Sequence, residues 1–418
     1  MKKLNYWAKY ILLGLLMLLM VNTVRNMCQS NTLTNMCKVK QNSKQKMVYK
    51  VVPLYEKQGK KKTEKEIQLY ARSAALMDAD NGRILYQKNG QKRLPMASTT
   101  KIMTCLVVLE HAKLDDIVAI SSNAAKQPKV RLNVSIGEKY YVKDLLYALM
   151  LESYNDVAVA LAEHVGKSVE GFAALMNQKA KELHCYNTHF VTPNGLDATE
   201  HYSSAEDLCK MGAYARKNDT FMKIINTAQH SFSELSKGRN CSVHNKDLFL
   251  SMYAGAIGIK TGFTGNAGYC FVGAVKRNDR TLVSAVLAAG WPPNKSYKWA
   301  DTKVLMDYGC NNYKVDTVFD CKFSLTPVSV RFGEKEKVSI ASTTYKRKML
   351  LDGKETQKIL SIIPEYLNAP VKKGATIGQV YYFLDGNICM KKNIYTNEAI
   401  QKNSFFSIYK SLLWYFCS

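Results

Sequence analysis

Acidic side chains are scarce in this chain: 34 Asp and Glu stand against 59 Lys and Arg in 418 residues, a net charge of +25. A surplus of that size favours anionic partners such as nucleic acid, acidic lipid or an anionic wall polymer. No zinc-finger spacing or aromatic RNA-binding signature supports nucleic acid, so none is expected as a partner. The chain also lacks any C-x-x-C pair. Its 11 cysteines are scattered and odd in number, which argues against a dense disulfide framework. Most read as small buried apolar residues, and Cys310 and Cys321 are a candidate pair. His184, Cys185 and His189 lie close in sequence, but no second cluster completes a ligand set, so neither metal nor cofactor is expected. There is no Gly-x-Ser-x-Gly elbow, which disfavours a Ser-His-Asp hydrolase.

What is present is enough apolar residue for real cores, 47% of the chain, over a length that suits two or three domains. Lys2, Lys3 and Lys9 flank the start of an apolar stretch, Tyr10 to Val21, the pattern of a secretory signal. That stretch is shorter than the ~20 residues of a spanning helix and is followed by no clear small-x-small cleavage site. Residues 1–24 are therefore assigned as a signal peptide or signal anchor, and the lysine-rich residues 25–68 as a linker.

Beyond the linker, apolar segments on either side of Asp80-Asn-Gly82 predict a hairpin. Helical periodicity follows at 143–151, 156–165, 171–183 and 204–217. Three strands are then predicted over 256–262, 268–275 and 281–287, with a closing helix at 299–308. Strands at both ends of a helical middle imply one α+β domain over 69–315, with an antiparallel sheet and a helical subdomain. Short alternating strands from 316 to 395 predict a small β-sandwich-like domain. Residues 396–418 read as an amphipathic helix, membrane-associated or docked on a domain.

The chemistry is carried by three short stretches. In Ser98-Thr-Thr-Lys101 a serine and a lysine three residues apart start a helical segment and share one face, so the lysine nitrogen can reach the serine oxygen. The plain alternative is a capping serine followed by a solvated lysine. As a base, the lysine has to be neutral, which calls for burial or a neighbouring cation. Lys260, in Lys260-Thr-Gly262 on a predicted strand, can supply that cation. Beside Gly262 such a strand can take a peptide alongside it, with Lys260 and Thr261 facing the peptide's carboxylate. Ser153 and Asn155, in the turn between two helices, can complete a proton path and hold a substrate amide.

S-x-x-K, S-x-N and K-T-G in that order are the motif set of penicillin-binding proteins and class A β-lactamases. Together with Ala97 to Met103, His201-Tyr-Ser-Ser-Ala205 and Gly258 to Thr264, the chain resembles the low-molecular-mass penicillin-binding D-alanyl-D-alanine carboxypeptidases. The match is strongest over residues 70–315. The β-rich module and terminal helix are similar to that family's second domain and membrane anchor.

The resemblance implies a β-lactamase/transpeptidase-like fold acting outside the cytoplasm on peptidoglycan stem peptides ending in D-Ala-D-Ala, with β-lactams as inhibitors. Ser98 would be the nucleophile, Lys101 its base, and Ser153 and Asn155 further catalytic groups. Lys260, Thr261, Gly262 and Phe263 would bind substrate, with the backbone N–H groups of Ser98 and Phe263 forming the oxyanion hole. Tyr154 and Phe263 stand where family members often carry glycine and histidine, respectively. Two rival readings are a class A-like β-lactamase and a catalytically silent wall-binding protein. The first is disfavoured because no Glu-x-x-Leu-Asn segment follows the second motif; the second is disfavoured by the complete motif set.

Overall fold

The hairpin ahead of Ser98 joins strand β1 (Ser73–Asp78) to β2 (Arg83–Lys88), antiparallel. Gly82 supplies the positive φ of its turn, 79°. The computed structural model describes residues 47–59, 67–277 and 280–404, which form two compact units. In the larger unit, strands β3 (Ala256–Thr264), β4 (Gly268–Arg277) and β5 (Arg280–Leu287) complete a sheet of order β2-β1-β5-β4-β3. Antiparallel pairing of β5 with β1 sets Ala285 opposite Ala75, so segments far apart in the chain close one sheet. Strand β3 is left at an edge.

The helices longer than one turn are α1 (Lys101–His111), α2 (Val142–Leu151), α3 (Asn155–Gly166), α4 (Val169–Glu182), α5 (Ala205–Ala215), α6 (Asp219–Asn226) and α7 (Tyr297–Asn312). Ser168, Ser204 and Asn218 cap α4, α5 and α6 through side-chain oxygens that accept backbone N–H groups. Such caps are worth about 1 kcal/mol each.

Gly212 of α5 lies against Ile259, Val272 and Val283, whereas Gly309 of α7 lies against Leu76 and Leu282. Since Leu282 and Val283 point to opposite faces of β5, a helix covers each face of the sheet. This is why β4 and β5 read as nearly continuous apolar runs. Helix α1 is buried from Lys101 to Val108 and forms the spine of the helical part, where Leu106 and Val107 are fully enclosed. Truncating such a side chain to alanine costs about 2–5 kcal/mol. The α+β architecture is as expected.

The smaller unit is β-rich. Sheets of five, three and two strands share a core that includes Val328, Val330, Met349, Ile359, Val380 and Tyr382. Here the structure corrects the linker assigned to 25–68. Tyr49–Lys57 is a strand, paired antiparallel with Gln357–Pro364 at the edge of the five-stranded sheet. Val52, Leu54 and Tyr55 pack on the core, and Pro53 sits at a bulge of this edge strand, where its missing N–H interrupts little of the ladder. A lysine-rich composition concealed the strand's apolar side.

A second correction concerns the terminal segment. Asn387–Thr396 is a strand, and bridges from Ile400 to Val371 and from Lys402 to Gly333 keep residues up to 402 within the β-rich unit. Residues 1–46 and 405–418, which include the signal segment and the aromatic tail, lie outside the described residues. Among the described residues no helix is long and apolar enough to cross a membrane. Cys310 and Cys321 are free thiols rather than a pair.

Candidate active site

Ser98 stands on a single 3-10 turn, Ala97–Thr100, that runs directly into α1. Its hydroxyl caps neither segment, which removes the capping alternative. Ala97, just before it, holds a left-handed φ of 49°, a conformation that costs an alanine about 1 kcal/mol or more. The turn is fixed from behind. Thr100 Oγ1 donates to the Ala97 carbonyl at 2.8 Å and accepts from His201 Nε2 at 3.0 Å. His201 Nδ1 in turn accepts from the N–H groups of Val191 (3.0 Å) and Thr192 (3.3 Å). A ring that accepts at Nδ1 is neutral, and burial brings its pKa down to about 4.

Lys101, one turn into the same segment, is fully enclosed. Its Nζ lies 2.9 Å from Ser98 Oγ, 3.0 Å from Asn155 Oδ1 and 2.5 Å from the Asn194 carbonyl oxygen. Burial first, and then the ammonium of Lys260, push Lys101 well below the ordinary lysine range, against a smaller pull from Asp156. That carboxylate is buried and already accepts from the N–H groups of Leu132, Asn133 and Val157.

Asn155 starts α3 and Ser153 lies in the turn before it. Asn155 Nδ2 donates to the carbonyls of Pro128 (3.3 Å) and Lys129 (3.1 Å), which fixes its oxygen toward Lys101. Ser153 is held at φ 68°, and its buried Oγ has no hydrogen-bond partner. The structure therefore joins Ser98, Lys101 and Asn155 in one hydrogen-bonded group and leaves Ser153 outside it.

Edge strand β3 carries the remaining predicted residues. Lys260 is buried, and its Nζ donates to the Thr261 carbonyl at 3.1 Å. Burial lowers its pKa to about 8, opposed by Asp247. Gly262 approaches the nucleophile turn so closely that a Cβ built on it would lie 2.9 Å from Ser98 N and 3.0 Å from Thr99 N. Phe263 is exposed and rests on Tyr269, ring centroids 4.6 Å apart. Among the described residues no cluster of His, Cys, Asp and Glu is disposed to hold a metal ion. The arrangement is a hydroxyl in contact with a desolvated amine, beside an open strand edge with a cation: the parts of an acyl-transfer site.

Residues 60–290 match a family model described as D-alanyl-D-alanine carboxypeptidase. The chain belongs to that family. Residues 313–402 match a second model, the C-terminal domain of penicillin-binding protein 5. The chain is 30% identical over 363 residues to the D-alanyl-D-alanine carboxypeptidase DacF of Bacillus subtilis (strain 168), covering 85% of this chain and 92% of that one. It is likewise 30% identical over 352 residues to the D-alanyl-D-alanine carboxypeptidase DacC of Escherichia coli (strain K12), covering 80% and 86%. Among solved structures, the Streptomyces K15 DD-transpeptidase superposes with a TM-score of 0.56 at 32% identity, over 59% of this chain and 100% of its own. The D-alanyl-D-alanine carboxypeptidase DacD from Francisella tularensis shares the fold, with a TM-score of 0.62 at 24% identity over 81% and 95%.

Sequence reasoning missed Asn194, whose main-chain oxygen is the nearest acceptor to Lys101. The Pro193-Asn-Gly195 loop was visible as a loop, but every residue has a carbonyl, so nothing in the sequence marks this one. Gly195, at φ 84°, brings it in: a Cβ there would fall 2.1 Å from the Ala97 oxygen. His201 and Asp156 were missed as well. Each accepts from backbone N–H groups of loops that only the fold brings near, and His201 also reaches the Thr100 hydroxyl.

Proposed function

We propose that this carboxypeptidase-family chain removes the terminal D-alanine from peptidoglycan stem peptides through an acyl-enzyme on Ser98. One observation carries the reading. Two of the three groups around Lys101 Nζ, Asn155 Oδ1 and the Asn194 carbonyl, can only accept hydrogen bonds. A neutral amine has two N–H groups, and both are committed to these oxygens. Its lone pair then faces Ser98 Oγ, and the serine hydroxyl becomes the donor in that 2.9 Å contact. Lys101 is thereby poised to take the Ser98 proton.

In this reading each step has its own group. Ser98 Oγ attacks the carbonyl carbon of the penultimate D-alanine as its proton passes to Lys101. The developing oxyanion is received by the N–H groups of Ser98 and Phe263, each such donor contributing on the order of 3 kcal/mol. The gap at Gly262 keeps the Ser98 N–H accessible. The C–N bond then breaks, and the leaving amine takes a proton delivered by way of Ser153. Water attacks the ester and releases the shortened peptide. Lys260 and Thr261 face the terminal carboxylate of the substrate lying along β3, and Asn155 holds its amide. A β-lactam enters by the same attack and remains on Ser98.

A peptidoglycan substrate lies outside the cytoplasmic membrane, where the charged and apolar segment at 1–24 would direct the chain. The net charge of +25 supports contact with an anionic membrane or wall polymer. The deciding experiment combines labelled penicillin, mapped by peptide mass, with D-alanine release from a pentapeptide in the presence and absence of an amine acceptor. Label on Ser98, none on Ser98→Ala, and free D-alanine with a hydrolysed tetrapeptide are expected. Label on another residue overturns the site, and a dominant cross-linked product makes the chain a transpeptidase.

A further inference from the structure

The carbonyl of Asn194 that holds Lys101 belongs to a residue whose side chain is also fully engaged. Asn194 Oδ1 accepts from Leu196 N at 3.0 Å, and Asn194 Nδ2 donates to Gln127 Oε1 at 3.1 Å. Gln127 Nε2 donates onward to the Oδ1 and main-chain oxygen of Asn123, both at 3.3 Å. Asn123 Nδ2 donates to Glu163 Oε1 at 2.8 Å, and the other oxygen of Glu163 accepts from Ser121 Oγ.

The orientation of each amide is decided from both ends of this chain of contacts. A carboxylate can only accept, so Asn123 turns its nitrogen to Glu163 and its oxygen to Gln127. A backbone N–H can only donate, so Asn194 turns its oxygen to Leu196 and its nitrogen to Gln127. The two ends demand the same Gln127 orientation. Three amides thus run head to tail from the base's carbonyl ligand to a carboxylate on α3, an order in which each bond strengthens the next.

The same loop also fixes the other carbonyl ligand. Asn155 donates from Nδ2 to Pro128 and Lys129, and from its backbone nitrogen to the Val130 carbonyl at 2.7 Å. Residues 127–130 therefore touch both groups that orient Lys101, one through a side-chain amide and one through main-chain oxygens. Gln127 itself is only half-buried and contributes nothing to the apolar core.

We propose that Gln127 is a positioning residue for acylation: through Asn194 it sets the carbonyl that orients Lys101, and with residues 128–130 it makes one loop responsible for aiming the base. This rests on the reading of Lys101 as the base of Ser98. Gln127 touches neither the serine nor the lysine, so its effect is on placement. A misplacement of about 1 Å at a reacting group costs around a hundred-fold in rate.

The test compares Gln127→Ala and Gln127→Glu with the unaltered full chain, using acylation by a fluorescent penicillin followed in time across a pH series. Gln127→Ala is expected to slow acylation about ten- to a hundred-fold, with the non-covalent affinity and the thermal midpoint retained. Gln127→Glu keeps the acceptor for Asn194 Nδ2, so it should recover most of the rate at high pH. Its added negative charge favours the ammonium form of Lys101 and should move the acid limb of the profile to higher pH. If Ser98 is still the labelled residue and Gln127→Ala acylates like the unaltered chain, the positioning role is overturned and the assigned function stands. An equal loss in both variants also overturns it, because the retained acceptor would then have had no effect. Label elsewhere than Ser98 instead brings down the functional reading.

Discussion

Gly262 on the edge strand faces the backbone nitrogen of Ser98, and a single methyl group placed on it would come within 2.9 Å of that nitrogen. The atoms it would meet, the main-chain nitrogens of Ser98 and Thr99 and the Cβ of Ala97, all belong to the nucleophile turn and cannot yield without moving Ser98. Gly262→Ala is therefore expected to lower the rate of penicillin acylation by about a hundred-fold, the scale of losing one oxyanion donor, while near-ultraviolet dichroism stays native. Acylation at the unaltered rate would show that this close approach is not needed.

The two buried lysines are expected to govern opposite limbs of the pH profile. The charge of Lys260 helps hold Lys101 neutral, so Lys260→Met should let Lys101 protonate more readily and shift the acid limb of kcat/KM to higher pH. In the unaltered enzyme Lys260, with its pKa lowered to about 8, sheds its charge as pH rises through that value. KM for a peptide with a terminal carboxylate should then climb above pH 8, and an esterified terminus should remove that dependence. A KM flat to pH 10 counts against Lys260 as the carboxylate partner.

His201 gives the fold a sensitivity to acid. Its folded pKa of about 4 lies below the unfolded value near 6.5, so the unfolded chain binds the extra proton between those values. The contribution is fully present above pH 6.5, declines as pH falls toward 4, and is level below that, a total on the order of 3 kcal/mol. Urea midpoints measured from pH 7 to pH 4 should reveal the slope, and His201→Gln should flatten it while lowering stability throughout.

Ser153 combines a left-handed φ of 68° with a buried hydroxyl that has no partner. Glycine relieves both, so Ser153→Gly should raise the thermal midpoint, equivalent to about 1 kcal/mol, while turnover of the peptide falls sharply. Ser153→Ala keeps the strained backbone and should gain less. A Ser153→Gly variant with a lower midpoint would show that the hydroxyl has a structural task.

Much of the architecture could be read from periodicity. The hairpin around Gly82, the meander of β3 to β5 and the helices flanking Ser153 all appear where the apolar spacing puts them, because each buries a defined face. The strand at Tyr49–Lys57 did not stand out. It lies at the edge of its sheet, largely exposed, and its partner at Gln357–Pro364 is some three hundred residues away. The many lysines of the surrounding stretch made it resemble a linker.

Residue order names the groups available to react and their neighbours: Ser98 and Lys101 lie one helical turn apart, and Lys260 stands two residues from Gly262. The environment of those groups comes from the fold. Lys101 is pushed well below the ordinary lysine range because the folded chain removes its water and places a second cation near it, and the oxygens of Asn155 and Asn194 fix its direction. Desolvation and long-range Coulomb interactions depend on distances through space, and a backbone carbonyl is the same in every residue. These are the quantities that residue order along a chain does not carry.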